Sequence, residues 1–235
     1  MWVVKIGGSL ERAPELPAWL AALALAAGRA VVVPGGGSLA DGVRALDAHW
    51  RLPEAVAHVM ACLAMEQMGR LFCALEPRLC LAGDWAEIAS AGARGQTPVW
   101  LPTRLLAGPR SIEGLAGSTA IKAWAQAHPE QEAPGAPPAS WAVTSDSLAA
   151  WLAARLPAAG LILVKSAPPP RHPVALSALV QDGIVDPHFA QAAAPGRPIY
   201  WVGRGDFAGL SAHLDGELGY ACAVQADGKW GDPAT

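Results

Sequence analysis

Runs of apolar residues without polar alternation recur along the chain at WVVKI (2–6), AVVV (30–33), LILV (161–164) and IYWV (199–202). Such runs read as strands buried on both faces. Weaker runs at 79–81, 99–101 and 219–224 read as short strands. The segments between them have helical character. Residues 14–27 predict a helix, with Pro14 and Pro17 in its first turns and Gly28 at its end. Residues 38–50 predict a second helix, and 53–75 a long apolar one that runs across the sheet or into a subunit contact. Further helices are expected at 84–91, at 118–127, and from a cap at Thr144 or Ser145 to 156. Two more are expected in a short piece opened by Asp186 and at 206–213. HPEQEAPGAPPAS (128–140) is a loop by composition, and KSAPPPRHP (165–173) is a stiff proline-rich one.

Strands that alternate with helices predict an α/β protein built on a mostly parallel sheet covered on both faces. At 235 residues the chain suits a single domain, with no internal repeat. Ligands of such sheets bind beyond the carboxyl ends of the strands. The unusual residues fall at those ends: KIGGS from Lys5, PGGGS from Pro34, KS at Lys165 and GRGD from Gly203.

Composition narrows the chemistry. The net charge is −3, with no basic block, which argues against nucleic acid as a partner. Only Lys5, Lys122, Lys165 and Lys229 are lysines, and two of these four follow strand-like runs. Cys62, Cys73, Cys80 and Cys222 form no CxxC pair, so they read as core thiols in a reducing compartment. Lys5 and the glycines after it interrupt any signal-peptide pattern. The longest apolar stretch, 18–27, is short of the ~20 residues that span a bilayer. A cytoplasmic protein without a membrane partner is expected.

Several motifs are missing. There is no GxxxxGK[ST] loop and no GxSxG elbow, and GRGDFAG at 203–209 misses the GxGxxG spacing. His172 and His188 have no partner at metal-ligand spacing. The two glycine-rich turns remain. Glycines let backbone N–H groups approach an anion, and a helix that starts just after PGGG adds partial positive charge. Two such cradles on adjacent strands suit phosphoryl transfer, which relies on positioning and charge neutralisation.

The motifs KIGGS at 5–9, GGG at 35–37 and DSLAA at 146–150, in this order, resemble the amino acid kinase family. The resemblance implies a three-layer αβα sandwich around about eight strands, with an acceptor half near 1–140 and a nucleotide half near 141–235. It implies in-line transfer of the ATP γ-phosphate with Mg²⁺ and no covalent enzyme intermediate. Lys5 would neutralise the transferring group, and Gly7, Gly8 and Ser9 would line the phosphates. Gly35, Gly36 and Gly37 would hold the acceptor end. Arg44 is the candidate for an acceptor phosphate, because a guanidinium grips phosphate bidentately; the alternative is a solvated helix arginine. Asp146 would orient Lys5, with Mg²⁺ arriving on ATP near it, and Ser145 lies beside the nucleotide. Within the family, WAVTSDSLAAWLA (141–153), LILVKS (161–166) and GIVDPHF (183–189) are similar to the kinases of methanofuran-type cofactor assembly. Those convert an aminomethylfuran-methyl phosphate to its diphosphate.

One departure stands out. Many members carry a Thr-Asp-rich nucleotide run after the strand matching LILV, where this chain reads KSAPPP. Lys165 either replaces the second phosphate-binding lysine of other branches or contacts ATP differently. DGIVDP at 182–187 resembles part of the missing run, displaced downstream. Glu66, Asp84 and Asp41 stand as unranked partners for an acceptor amine. Two other readings compete with the phosphate kinase: a carboxylate kinase that makes an acyl phosphate, and a non-catalytic oxyanion-binding module. The apolar stretch 53–75 also points to a homo-oligomer, a dimer or larger.

Overall fold

The computed structural model describes residues 1–106, 136–217 and 221–225. The helix expected at 118–127, most of the loop from 128, and Lys122 and Lys229 lie outside them. Eight strands form one sheet: β1 (Trp2–Ile6), β2 (Ala30–Pro34), β3 (Leu79–Ala82), β4 (Thr97–Trp100), β5 (Leu161–Lys165), β6 (Val174–Ala175), β7 (Ile199–Gly203) and β8 (Cys222–Gln225). Their order is β3-β4-β2-β1-β5-β7-β8-β6. Every pairing is parallel except β7 with β8. The mostly parallel eight-stranded sheet matches the sequence expectation.

Helices cover both faces. They are α1 (Leu16–Ala24), α2 (Gly37–Trp50), α3 (Glu54–Leu75), α4 (Trp85–Ala93), α5 (Thr103–Leu106), α6 (Ser145–Arg155), α7 (Leu176–Gln181), α8 (Phe189–Ala192) and α9 (Leu210–Leu214). The strands separate two cores. Trp2, Val4 and Ile6 of β1 pack with Trp19, Leu20 and Leu23 of α1, while Val3 packs with α6. Alternate residues of a strand point to opposite faces, so Lys5 shares the face of Val3 and α6. The helix α3 packs across the sheet, the first of the two placements expected for it: Gly69 passes Pro34 at the end of β2 and Leu101 just beyond β4.

Several boundaries differ from the sequence expectation for identifiable reasons. The helix expected at 14–27 begins at Leu16, because Pro17 lacks an N–H and only a first turn can carry it. It ends at Ala24, and the chain turns through Ala27 and Gly28 at positive φ. The segment 206–213 divides into a 3₁₀ turn, Asp206–Gly209, and α9. The pieces β6 and α7, just after the proline-rich loop 165–173, are not among the expected elements. No helix among the described residues is long and apolar enough to cross a membrane.

The order of strands places the site. From β1 the sheet grows one way through β2, β4 and β3 and the other way through β5 and β7. This reversal is where open α/β sheets bind ligands. The glycine turns after β1 and β2 meet there backbone to backbone. A Cβ on Gly8 would lie 2.6 Å from the Gly37 nitrogen and 2.9 Å from its Cα, and a Cβ on Gly35 would overlap the Gly8 nitrogen. We therefore expect Gly35→Ala to destabilise the fold by ~1–3 kcal/mol, as overpacking does. Gly42→Ala, on α2 with open space around it, should instead stabilise by ~0.5–1 kcal/mol. Urea unfolding of both variants checks this; equal midpoints would refute the tight apposition of the two turns.

Candidate active site

Lys5 is the penultimate residue of β1, flanked by Val33 of β2 and Leu163 of β5. Lys165 closes β5, beside Gly203 of β7. Between their ammonium groups lies the carboxylate of Asp146, in the first turn of α6. Lys5 Nζ is 2.8 Å from Asp146 Oδ1. Lys165 Nζ donates to both Asp146 oxygens at 2.8 Å, and its third hydrogen goes to the Ile184 carbonyl at 2.6 Å. Lys5 and Asp146 are 4% and 6% exposed, so the cluster is shielded from water.

The charges answer to this burial. Burial alone would raise the Asp146 carboxyl pKa, but the ammonium groups of Lys5 and Lys165 more than reverse it and hold it below the usual range. Burial, aided by the Lys5 charge and opposed by Asp146, lowers Lys165 to about 8. At neutral pH two cations thus surround one anion, and the site keeps a net positive charge.

Hydrogen bonds to Asp186 hold α6 in place. Asp186 accepts from Thr144 N at 3.0 Å, Thr144 Oγ1 at 2.8 Å and Ser147 N at 3.0 Å, and also from the Ser147 hydroxyl. These satisfy N–H groups that have no partner within the helix. Asp186 does not open the short helix expected after it. That helix, α8, starts at Phe189 with His188 as its cap. Ala149 and Ala150 are buried, and small side chains there let α6 lie close to the sheet.

A cleft of about 430 Å³ opens on Lys5. Gly8, Ser9, Gly36, Gly37, Ser145 and Asp146 line its polar part. Gly37 adopts φ +53°, a left-handed conformation that favours glycine, at the first residue of α2. Ala61, Cys62, Met65, Val143 and Leu148 form an apolar part, and Arg44 and Trp141 are also on the lining. Burial pushes the Cys62 thiol up to about 12, so it stays neutral. A second cavity, about 670 Å³, lies beyond the ends of β5 and β7 and is lined by Ser166, Pro168, Pro169, Arg171, Arg204 and Asp206.

The sequence-predicted residues divide accordingly. Lys5, Gly8, Ser9, Gly36, Gly37, Arg44, Ser145 and Asp146 line the first cleft; Gly7, Gly35 and Lys165 do not. The Gly7 N–H is spent on the Val164 carbonyl and the Gly35 N–H on Ile6. Gly35 also stands where the two turns approach most closely, against the Gly8 backbone. Lys165 reaches the site through Asp146. Arg44 is bound to Asp41 at 2.6 Å and lies 5.1 Å over the Trp141 ring, which makes it a half-exposed wall of the cleft. Of the acids considered for an amine, Glu66 holds Thr103 and Asp84 caps α4 and pairs with Arg104; only Asp41 lines the cleft.

Sequence reasoning passed over Glu11, Trp141 and Asp186 as parts of the site. Glu11 accepts from Ser38 N at 2.8 Å and Ser38 Oγ at 3.0 Å, at the start of α2. The resemblance of DGIVDP to a displaced nucleotide run was the available signal for Asp186. Among the described residues no group of three His, Cys, Asp or Glu side chains is placed to hold a metal ion. Asp146 already spends both oxygens on lysines, so the donor set fits a cation carried in on phosphates and not one resident on Asp146.

Comparison with known proteins accords with this geometry. A uridylate kinase from Archaeoglobus fulgidus superimposes with a TM-score of 0.62 at 16% identity, covering 95% of this chain and 99% of its own. A UMP kinase from Ureaplasma parvum gives 0.61 at 13% identity, over 95% and 98%. An isopentenyl phosphate kinase gives 0.56 at 14%, over 96% and 100%. At such identities the likeness is one of fold. No curated protein matches the chain in sequence. The profile of the amino acid kinase family matches residues 1–168, most of the chain, and places this protein in that family.

Proposed function

We propose that the protein is an ATP-dependent small-molecule kinase whose acceptor is a phosphomonoester, specifically an aminomethylfuran-methyl phosphate converted to its diphosphate. The observation that carries this reading is the buried Lys5–Asp146–Lys165 cluster, whose Lys5 and Asp146 line a cleft that also meets the start of α2. Family membership supports a phosphotransferase, and solved neighbours of the same fold include kinases of phosphate acceptors.

In this reading the acceptor lies in the first cleft with its phosphate toward Gly36, Gly37 and Lys5. ATP lies toward the second cavity, and Mg²⁺ bound to its phosphates supplies further charge neutralisation. An acceptor phosphate oxygen forms the new P–O bond to the γ-phosphorus as the bond to the β-bridging oxygen breaks and ADP departs. That oxygen is ionised at neutral pH, so no protein base is required. Lys5 balances the charge that spreads over the transferring oxygens. Asp146 fixes the lysine without cancelling the site's positive charge, because Lys165 offsets it.

The reading extends to a cytoplasmic homo-oligomer. Leu63, Leu71 and Leu75 on α3 and Leu46 and Trp50 on α2 are exposed apolar side chains that support a subunit contact. For the reaction itself, ³¹P NMR of the protein with Mg-ATP and the aminomethylfuran phosphate should show new diphosphate signals. An acyl phosphate formed with an amino acid and trapped by hydroxylamine would favour the carboxylate reading. Binding without turnover would favour a non-catalytic module.

Two variants probe the cluster. Lys5→Ala should lower kcat by about 100-fold or more, as loss of an electrostatic stabiliser does; a near-normal rate would place the chemistry elsewhere. The free enzyme's kcat/KM should fall as pH rises through about 8, where Lys165 loses its proton and the site its net positive charge. The sign follows because the protonated form attracts the anionic substrate. Lys165→Met should be slower at pH 7 and lack this limb, so a limb that persists in the variant would assign it to another group.

A further inference from the structure

We propose that Glu11 is an internal anion that fills the polar end of the cleft, and that an acceptor phosphate binds there by displacing it. The inference rests on the kinase reading for what arrives at that end, and on Glu11 itself for the competition.

Glu11 closes the short turn that follows β1. Its backbone N–H donates to the Gly8 carbonyl at 3.1 Å, which ties down its main chain and leaves the side chain to move. The carboxylate reaches the start of α2. Its Oε2 accepts from Ser38 N at 2.8 Å and from Ser38 Oγ at 3.0 Å. It lies against the backbone of Gly37, where a Cβ would overlap Oε2. Glycine at this position therefore does more than allow a positive φ: it leaves room for the carboxylate. Glu11, Gly36, Gly37 and Ser38 all line the cleft that opens on Lys5.

The donors that Glu11 takes are those an oxyanion would use. N–H groups in the first turn of a helix have no partner within it and carry partial positive charge. A carboxylate satisfies them as a phosphate oxygen would. Two anions cannot share them, because like charges a few ångströms apart in a cleft repel one another. A phosphate directed at Gly36, Gly37 and Lys5 thus meets a place already filled. Glu11 has somewhere to go. Arg12 is 85% exposed, and its Nε lies 3.5 Å from Glu11 Oε1. The carboxylate can turn away from Ser38 and keep a cation beside it.

The consequence is a threshold. Displacing Glu11 costs every phosphate the same, so every affinity falls by one factor. Inorganic phosphate has only the polar end of the cleft to offset that cost. An acceptor with a body also covers Cys62, Met65 and Leu148. ATP is then not spent on inorganic phosphate, whose oxygen would otherwise attack the γ-phosphorus and yield pyrophosphate and ADP.

Titration calorimetry of the full chain with inorganic phosphate and with n-butyl phosphate, without nucleotide, tests this. Glu11→Gln keeps an oxygen for Ser38 without the charge, and Glu11→Ala empties the place. Both variants should bind each probe about tenfold more tightly than wild type, with the same gain for the two probes. Thermal unfolding confirms that each variant is folded. A fixed concentration of phosphate should also raise its melting temperature more than that of wild type. Unchanged or weaker binding in both variants would reduce Glu11 to a helix cap and overturn the proposal. The gain in both variants, in a protein that transfers no phosphate from Mg-ATP to any phosphate acceptor, would sink the kinase reading and leave the displacement standing. Transfer by wild type with no gain in either variant would do the reverse.

Discussion

Two ammonium groups share one carboxylate in a nearly dry site, and much of the architecture follows from holding them there. Lys5 and Lys165 both pair with Asp146, each at 2.8 Å. Removing one partner of such a buried set typically costs ~3–5 kcal/mol, since the charge left behind has no water to turn to. The three residues therefore have to arrive together. Lys5 comes from the central strand, Lys165 from its neighbour, and Asp146 from the helix that crosses above both. The pairing of β1 with β5 brings the lysines to adjacent strand ends, and alanines at 149 and 150 let the helix come close enough for the carboxylate to reach between them.

The glycine turns obey a second constraint, one of space. The loops after β1 and β2 touch through Gly8, Gly35 and Gly37, where no side chain fits. This contact fixes the start of α2 relative to Lys5. It also changes what the glycines mean. A glycine in KIGGS or PGGGS reads from sequence as a phosphate contact, yet Gly7 and Gly35 have given their N–H groups to the sheet. Only the glycines one step further along face the cleft. A glycine-rich motif thus mixes residues that line the cleft with residues that let the loops meet, and Gly8 and Gly37 do both.

The fold was legible because buried parallel strands are continuous apolar runs, and those signals are local. The strands at 2–6, 30–34, 161–165 and 199–203 all fall where WVVKI, AVVV, LILV and IYWV predicted them. Lys5 and Asp146 were legible as well, since a charged residue at the end of an apolar run and an acid at a helix start are conspicuous. The contacts of Lys165, Asp186 and Trp141 were not. Each depends on a partner 19 to 94 residues away: Ile184 for Lys165, Thr144 and Ser147 for Asp186, Asp47 for Trp141. Nothing local to Trp141 distinguishes it from the other tryptophans of the chain. The short pieces β6 and α7 escaped for a different reason: a two-residue strand and a six-residue helix are too short to show a period, and they directly follow a proline-rich loop.

The surroundings of Lys165 are completed by the segment from Ile184 to Asp186. A lysine at the end of β5 needs acceptors for three hydrogens in a place from which water is largely excluded. Asp146 supplies two, and the carbonyl of Ile184 the third. Two residues on, Asp186 binds the N-terminus of the very helix that carries Asp146. The stretch from Ile184 to Asp186 therefore anchors both partners of the same ion pair, one through its backbone and the other through a side chain. Lys165 at the end of β5 and the segment from Ile184 to Asp186 form one arrangement: the lysine pairs with Asp146, and the returning segment fixes the distance between them.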